Sequence, residues 1–143
     1  MRDCSQGVEV KPEKILELLR EIENVDGVTI SGGEPFLQVK ELISLVELIS
    51  DHVEKDILIY TGFQLKELEQ TYPMEMEVLK KRISAIVDGP YIEAMNRGRG
   101  LMGSENQQTY IYHNFDKYRD IRTCERSSQA ILYNGQILLI GIQ

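Results

Sequence analysis

Glu34 is the side chain around which chemistry can be built. It lies in Ser31-Gly32-Gly33-Glu34-Pro35, directly after a short apolar run, Gly27-Val28-Thr29-Ile30. Two consecutive glycines let the backbone turn sharply and bring a ligand close to bare main chain. Pro35 donates no hydrogen bond and disfavours the helical region for the residue before it, which predicts an extended Glu34. A carboxylate fixed beside bare backbone suits an ammonium or another cationic group. Gly-Gly with a solvated Glu is also the composition of a plain strand-to-helix turn, so this stretch alone leaves both readings open. Two further stretches share its character. Thr61-Gly62-Phe63 follows Asp56-Ile57-Leu58-Ile59-Tyr60, and Asp88-Gly89-Pro90-Tyr91 follows Ile83-Ser84-Ala85-Ile86-Val87.

Those apolar runs are rich in β-branched residues and read as buried strands. Amphipathic helical stretches alternate with them. The first has Pro12 in its first turn and Ile15, Leu18, Leu19 and Ile22 on one face; the second carries Val39, Leu42, Ile43, Val46 and Ile49. Helical pieces from about Gln64 to Gln70 and from about Met74 to Lys81 flank Pro73. Strands alternating with helices imply right-handed βαβ units and a mostly parallel sheet. Ligands of such sheets sit outside the carboxyl ends of the strands. Glycine-bearing ends on neighbouring strands, two with carboxylates, favour a site over unrelated turns. Downstream, Asn96-Arg97-Gly98-Arg99-Gly100-Leu101-Met102-Gly103-Ser104 reads as a mobile loop, able to clamp an anion or meet a partner, or on composition equally a plain solvated loop. Gln108 to Tyr112 alternates as a strand, and no structure is assigned to 114–127. Asn134-Gly135 marks a C-terminal β-hairpin between Gln129–Tyr133 and Gln136–Ile140.

The chain has 143 residues, a single-domain size, with ordinary apolar and charged content. A formal net charge of −7 argues against nucleic-acid or anionic-membrane binding. No apolar run approaches the roughly 20 residues of a membrane helix, so a cytoplasmic location is expected. The two cysteines, Cys4 and Cys124, are far apart and cannot by themselves hold a zinc ion or an iron–sulfur cluster. Of the two histidines, His52 is expected to be solvated and His113 structural.

Taken in order, Gly7-Val8-Glu9-Val10, Ser31 to Pro35, Tyr60 to Phe63, Val87 to Tyr91, Gly103-Ser104-Glu105-Asn106-Gln107 and Gly141-Ile142 resemble the radical S-adenosylmethionine (SAM) activating enzymes. The similarity is to the small activating proteins of anaerobic ribonucleotide reductase and their single-cluster relatives. It implies one domain over 1–143 with an α/β fold, a partial radical SAM β/α barrel closed by a C-terminal hairpin. It also implies two cofactors, SAM and a [4Fe–4S] cluster. Reductive cleavage of SAM would place a glycyl radical on a partner such as anaerobic ribonucleotide reductase, with an electron donor such as flavodoxin or ferredoxin. By resemblance, Gly32, Gly33 and Glu34, between Ser31 and Pro35, meet the SAM amino group. Thr61 and Gly62 line the cofactor cleft, and Asp88 and Asn106 are further cofactor-binding candidates. Met102 stands where the family usually has arginine. The family's C-x-x-x-C-x-x-C loop precedes its Gly-Val-Glu-Val stretch, and this chain lacks it, so no residue is assigned to the metal. The chain is expected to be an N-terminally truncated activating enzyme; the alternative is a degenerate domain without a cluster that binds a nucleotide or a partner.

Overall fold

The computed structural model describes residues 8–53, 56–126, 129–133 and 136–140. Four strands form one sheet in the order β1 (Val28–Ile30), β2 (Ile57–Tyr60), β3 (Ala85–Asp88) and β4 (Gln108–Ile111). The first three are parallel, with Val28 opposite Ile57 and Leu58 opposite Ala85. β4 returns antiparallel to β3, pairing Asp88 with Gln108. β1 is an edge strand of 3 residues, short enough to offer little template for stray pairing.

α1 (Pro12–Arg20) precedes β1; α2 (Val39–His52) runs between β1 and β2, and α3 (Leu65–Thr71) and α4 (Pro73–Arg82) run between β2 and β3. The expected face of α2 is buried at Leu42, Val46 and Ile49. It packs with Leu65, Leu68, Met76 and Leu79 against Ile57, Ile59 and Ile86. Strand side chains alternate between faces, so Leu58, Ala85 and Val87 point the other way. There they meet Met102, Tyr118 and Ile121 instead of long helices. The sheet is thus covered by helices on one face and by loop residues and a short helix, α5 (Phe115–Tyr118), on the other.

Three expectations are corrected. In α1, Leu16 is the buried residue, whereas Leu18 and Ile22 are about half exposed. The helical period located an apolar stripe but could not show that only part of it meets a neighbour. β3 starts at Ala85, because Ile83 still closes the last turn of α4 through its N–H to the Leu79 carbonyl at 2.9 Å. The 114–127 stretch contains α5, entered through Asn114 in the left-handed region at φ 56°. His113 is structural as expected: its backbone N–H donates to the Ser84 carbonyl, and its Nε2 lies 3.2 Å from the Lys80 carbonyl. The hairpin strands β5 (Gln129–Tyr133) and β6 (Gln136–Ile140) pair antiparallel, with Tyr133 opposite Gln136. Its Asn134-Gly135 turn lies outside the described residues. Among the described residues, no helix is long and apolar enough to cross a membrane.

Candidate functional site

The carboxyl ends of β1, β2 and β3 converge on a cleft of about 770 Å³. Its β1 side is built as the sequence predicts. Gly32 and Gly33 adopt φ of +80° and +57°, where other L-residues are strained. Added side chains there would meet no protein atom within 4 Å, so the glycines serve the turn and leave the main chain open to a ligand. Glu34 is extended, at φ −130° and ψ 110°. Pro35 and Phe36 behind it are buried, and Phe36 stacks on Tyr72 with ring centroids 6.5 Å apart. That anchor aims the Glu34 side chain across to the next strand end.

Three donors then hold the carboxylate. Glu34 Oε1 accepts from the Thr61 hydroxyl at 2.8 Å and from the Phe36 N–H at 3.1 Å, and Oε2 accepts from the Gly62 N–H at 2.8 Å. Thr61 is itself buried, and its Oγ1 accepts from the Phe63 N–H at 3.2 Å. A carboxylate offers about four lone-pair positions, so one remains on Oε2 for a ligand donor. The result is a fixed anionic acceptor beside bare backbone, suited to an ammonium group.

The structure divides the remaining candidates. Ser31, Gly32, Gly33, Glu34, Thr61 and Gly62 line the cleft, whereas Pro35 is buried beneath it. Asp88 and Asn106 line an adjoining hollow of about 350 Å³, and Gly89 borders both. The Asp88 carboxylate is buried and held by backbone: Oδ2 accepts from the Leu65 N–H at 2.6 Å and Oδ1 from the Gln108 N–H at 3.2 Å. It therefore caps the start of α3 and joins β3 to β4. Asn106 donates to the Pro90 carbonyl at 2.8 Å, and its Oδ1 is buried without a partner among the described residues.

Two cleft residues carry more weight than their sequence context suggests. Gln107 is buried; its Oε1 accepts from the N–H groups of Gly103 and Ser104 at 2.8 and 3.1 Å, and its amide nitrogen donates to the Gly89 carbonyl at 2.8 Å. Tyr60 donates its hydroxyl to the Leu101 carbonyl. Burial raises the pKa of that phenol to about 12, so it remains a neutral donor. Both residues lie in the stretches that carry the resemblance, Tyr60 to Phe63 and Gly103 to Gln107, but neither stretch showed which groups these side chains would join.

The arginine–glycine loop is correspondingly tied down rather than mobile. Arg126 donates to the carbonyls of Gly100, Arg99 and Met102 at 2.9, 3.2 and 2.7 Å, and to Asn96 Oδ1 at 2.9 Å. Gly100 has φ +66°, and a Cβ there would lie 2.5 Å from the Arg122 carbonyl oxygen. Gly100→Ala combines left-handed strain with overpacking and is expected to destabilise the fold by about 2–4 kcal/mol. Urea unfolding of the variant beside the parent checks this.

A [4Fe–4S] cluster needs thiolates converging on adjacent irons. Cys124 is the only cysteine among the described residues, and these residues contain no group of three or more His, Cys, Asp or Glu able to hold a metal ion. The described residues do not fit the cluster, and no chemical step is assigned to it. The tethered Glu34 carboxylate and the open Gly32-Gly33 backbone suit an ammonium group such as that of SAM.

Over 93 residues the chain is 32% identical to the anaerobic ribonucleoside-triphosphate reductase-activating protein of Haemophilus influenzae, an alignment covering 62% of this chain and 56% of that one. The chain thus spans little more than half the length of this curated relative. No solved structure matches it significantly. Residues 1–110 match the family described as a 4Fe-4S single cluster domain. Both matches bear out the resemblance to the activating enzymes, and the match over 110 of 143 residues is decisive for the family. The chain belongs to the 4Fe-4S single cluster domain family.

Proposed function

We propose that this chain seats S-adenosylmethionine for an activating enzyme whose partner is a glycyl radical enzyme such as anaerobic ribonucleotide reductase. The carrying observation is the Glu34 carboxylate, held across the strand ends by Thr61 and Gly62 with acceptor capacity left toward the cleft. Bound there and given an electron from a reduced cluster that the described residues do not hold, SAM would supply the family's hydrogen-abstracting chemistry. Glu34 accepts from the ligand's ammonium group. Gly32 and Gly33 allow that group to approach the main chain, and Tyr60 with Leu101 forms an opposing wall. The name of the Haemophilus influenzae relative supports the partner, and the family description supports the iron–sulfur association. An open sheet with helices on one face and the cleft on the other fits a partial β/α barrel.

The test compares ligands that differ at the amino group. By isothermal titration calorimetry of the purified chain, SAM should bind at least about tenfold more tightly than its deaminated analogue, because a charge-assisted hydrogen bond contributes roughly 1.5–3 kcal/mol. Equal affinities would remove Glu34 from the proposed role. A second reading is a domain that binds ligand or partner without a cluster; among the described residues, no group of three or more His, Cys, Asp or Glu could hold a metal ion. Anaerobic reconstitution with iron and sulfide separates the two: a brown protein with about four irons per chain excludes the second reading.

A further inference from the structure

The 97–104 loop has two working sides. Leu101 and Gly103 line the Glu34 cleft, whereas the intervening Met102 and the following Ser104 line a separate hollow of about 180 Å³ behind it. Four arginines surround that hollow, Arg97, Arg99, Arg122 and Arg126, with Glu105 as its one acidic residue. Arg97 pairs with Glu105 at 3.1 Å. Arg99 and Arg122 meet no carboxylate among the described residues, and the Arg122 guanidinium is steadied by the Gln107 carbonyl at 3.3 Å. Arg126 donates to the Gly100, Arg99 and Met102 carbonyls and to Asn96 Oδ1, which holds its guanidinium at the rim of the hollow. Ser104 Oγ accepts from the Ile92 N–H at 3.0 Å, which leaves its own proton available to donate.

This concentration of positive charge stands out in a chain of net charge −7. We propose that the hollow is an anion site for a small ligand bearing a phosphoryl or pyrophosphoryl group. Guanidinium groups present rigid forks of N–H donors that match phosphate oxygens. The volume is sufficient for such a group. The surrounding acidic protein opposes a long polyanion, because its field extends beyond the site. The proposal rests on Arg99 and Arg122 and does not depend on what the Glu34 cleft binds.

Titration of the full chain with pyrophosphate at low ionic strength tests it, using calorimetry for affinity and amide NMR shifts of Gly98 and Gly100 for location. Saturable binding is expected, with shifts confined to the loop. Arg99→Gln combined with Arg122→Gln should weaken it by about tenfold or more, since each removes a charged donor. Both side chains are exposed, so the thermal unfolding of the variant should follow the parent and a folding defect is separable. Absence of binding at low salt, or binding that the double variant leaves unchanged, overturns the proposal. So does tight binding of a polyglutamate peptide without binding of pyrophosphate, which would make the hollow a protein-docking surface instead.

Discussion

Glu34→Gln is expected to weaken SAM binding by about 10- to 100-fold while leaving the fold assembled, because it exchanges a charged acceptor for a neutral one at the same length. In the parent, Oε1 serves Thr61 and Phe36 while Oε2 serves Gly62. An amide can keep its oxygen toward one set only, and its NH₂ group then faces a donor on the other side. The variant should therefore also lose about 1 kcal/mol of stability, the usual net worth of one hydrogen bond. Glu34→Asp supplies the contrast: it keeps the charge but draws the carboxylate back by one methylene, out of reach of the β2 end. If position matters as much as charge, its affinity should fall as far as that of the glutamine variant. Calorimetry with SAM, alongside thermal melts, reads both effects. Parent-like affinity in Glu34→Gln would contradict the assignment of the ammonium to this side chain.

The second large effect lies at the opposite end of the sheet. Asp56 is buried; it accepts from the Tyr118 hydroxyl at 2.7 Å and is paired with Lys117, whose ammonium also reaches the Asp26 carbonyl. Asp56→Ala would leave the buried Tyr118 hydroxyl without this acceptor and separate α5 from the start of β2. Removing one member of a buried pair costs about 3–5 kcal/mol. Lys117 is about half exposed and can turn to water, so about 2–3 kcal/mol is expected here. Burial pushes the Asp56 carboxyl up, but hydrogen bonds from Lys117, Tyr118 and Ser84, with the lysine charge, more than offset it and hold the group below the ordinary carboxylate value. A depressed folded pKa means stability that is complete above the unfolded value of about 3.9 and is lost as pH falls through the folded one. Denaturant titrations below about pH 4 should show that slope in the parent and a shallower one in Asp56→Ala.

The parallel strands were legible because Ile57-Leu58-Ile59 and Ala85-Ile86-Val87 are buried on both faces and so read as unbroken apolar runs. The extended Glu34 was legible for an equally local reason, the proline that follows it. Asp88 shows where locality ends. A carboxylate at a strand end looks the same in sequence whether it faces a ligand or caps a helix, and its partners at Leu65 and Gln108 are contributed by distant parts of the chain. Gln107 stood out by its block, but its bridge between Gly89 and Gly103 was hidden for the same reason. The mobile reading of the arginine–glycine loop failed because the residue that fastens it, Arg126, comes after a stretch with no local pattern.

Gln107 makes the cleft behave mechanically like a vice with a welded jaw. Its single side-chain amide rivets the turn after β3 to the 103–104 turn, so Tyr91 and Gly103 on that rim must travel as one body. The opposite jaw, Gly32 to Glu34, hangs from the edge strand and is fastened to Thr61 and Gly62, just beyond β2, through the carboxylate that would greet a ligand. Any adjustment to the bulk of a ligand should therefore fall on the β1 side. Engaging Glu34 would then tighten or loosen a fastening that sets how wide the jaws stand.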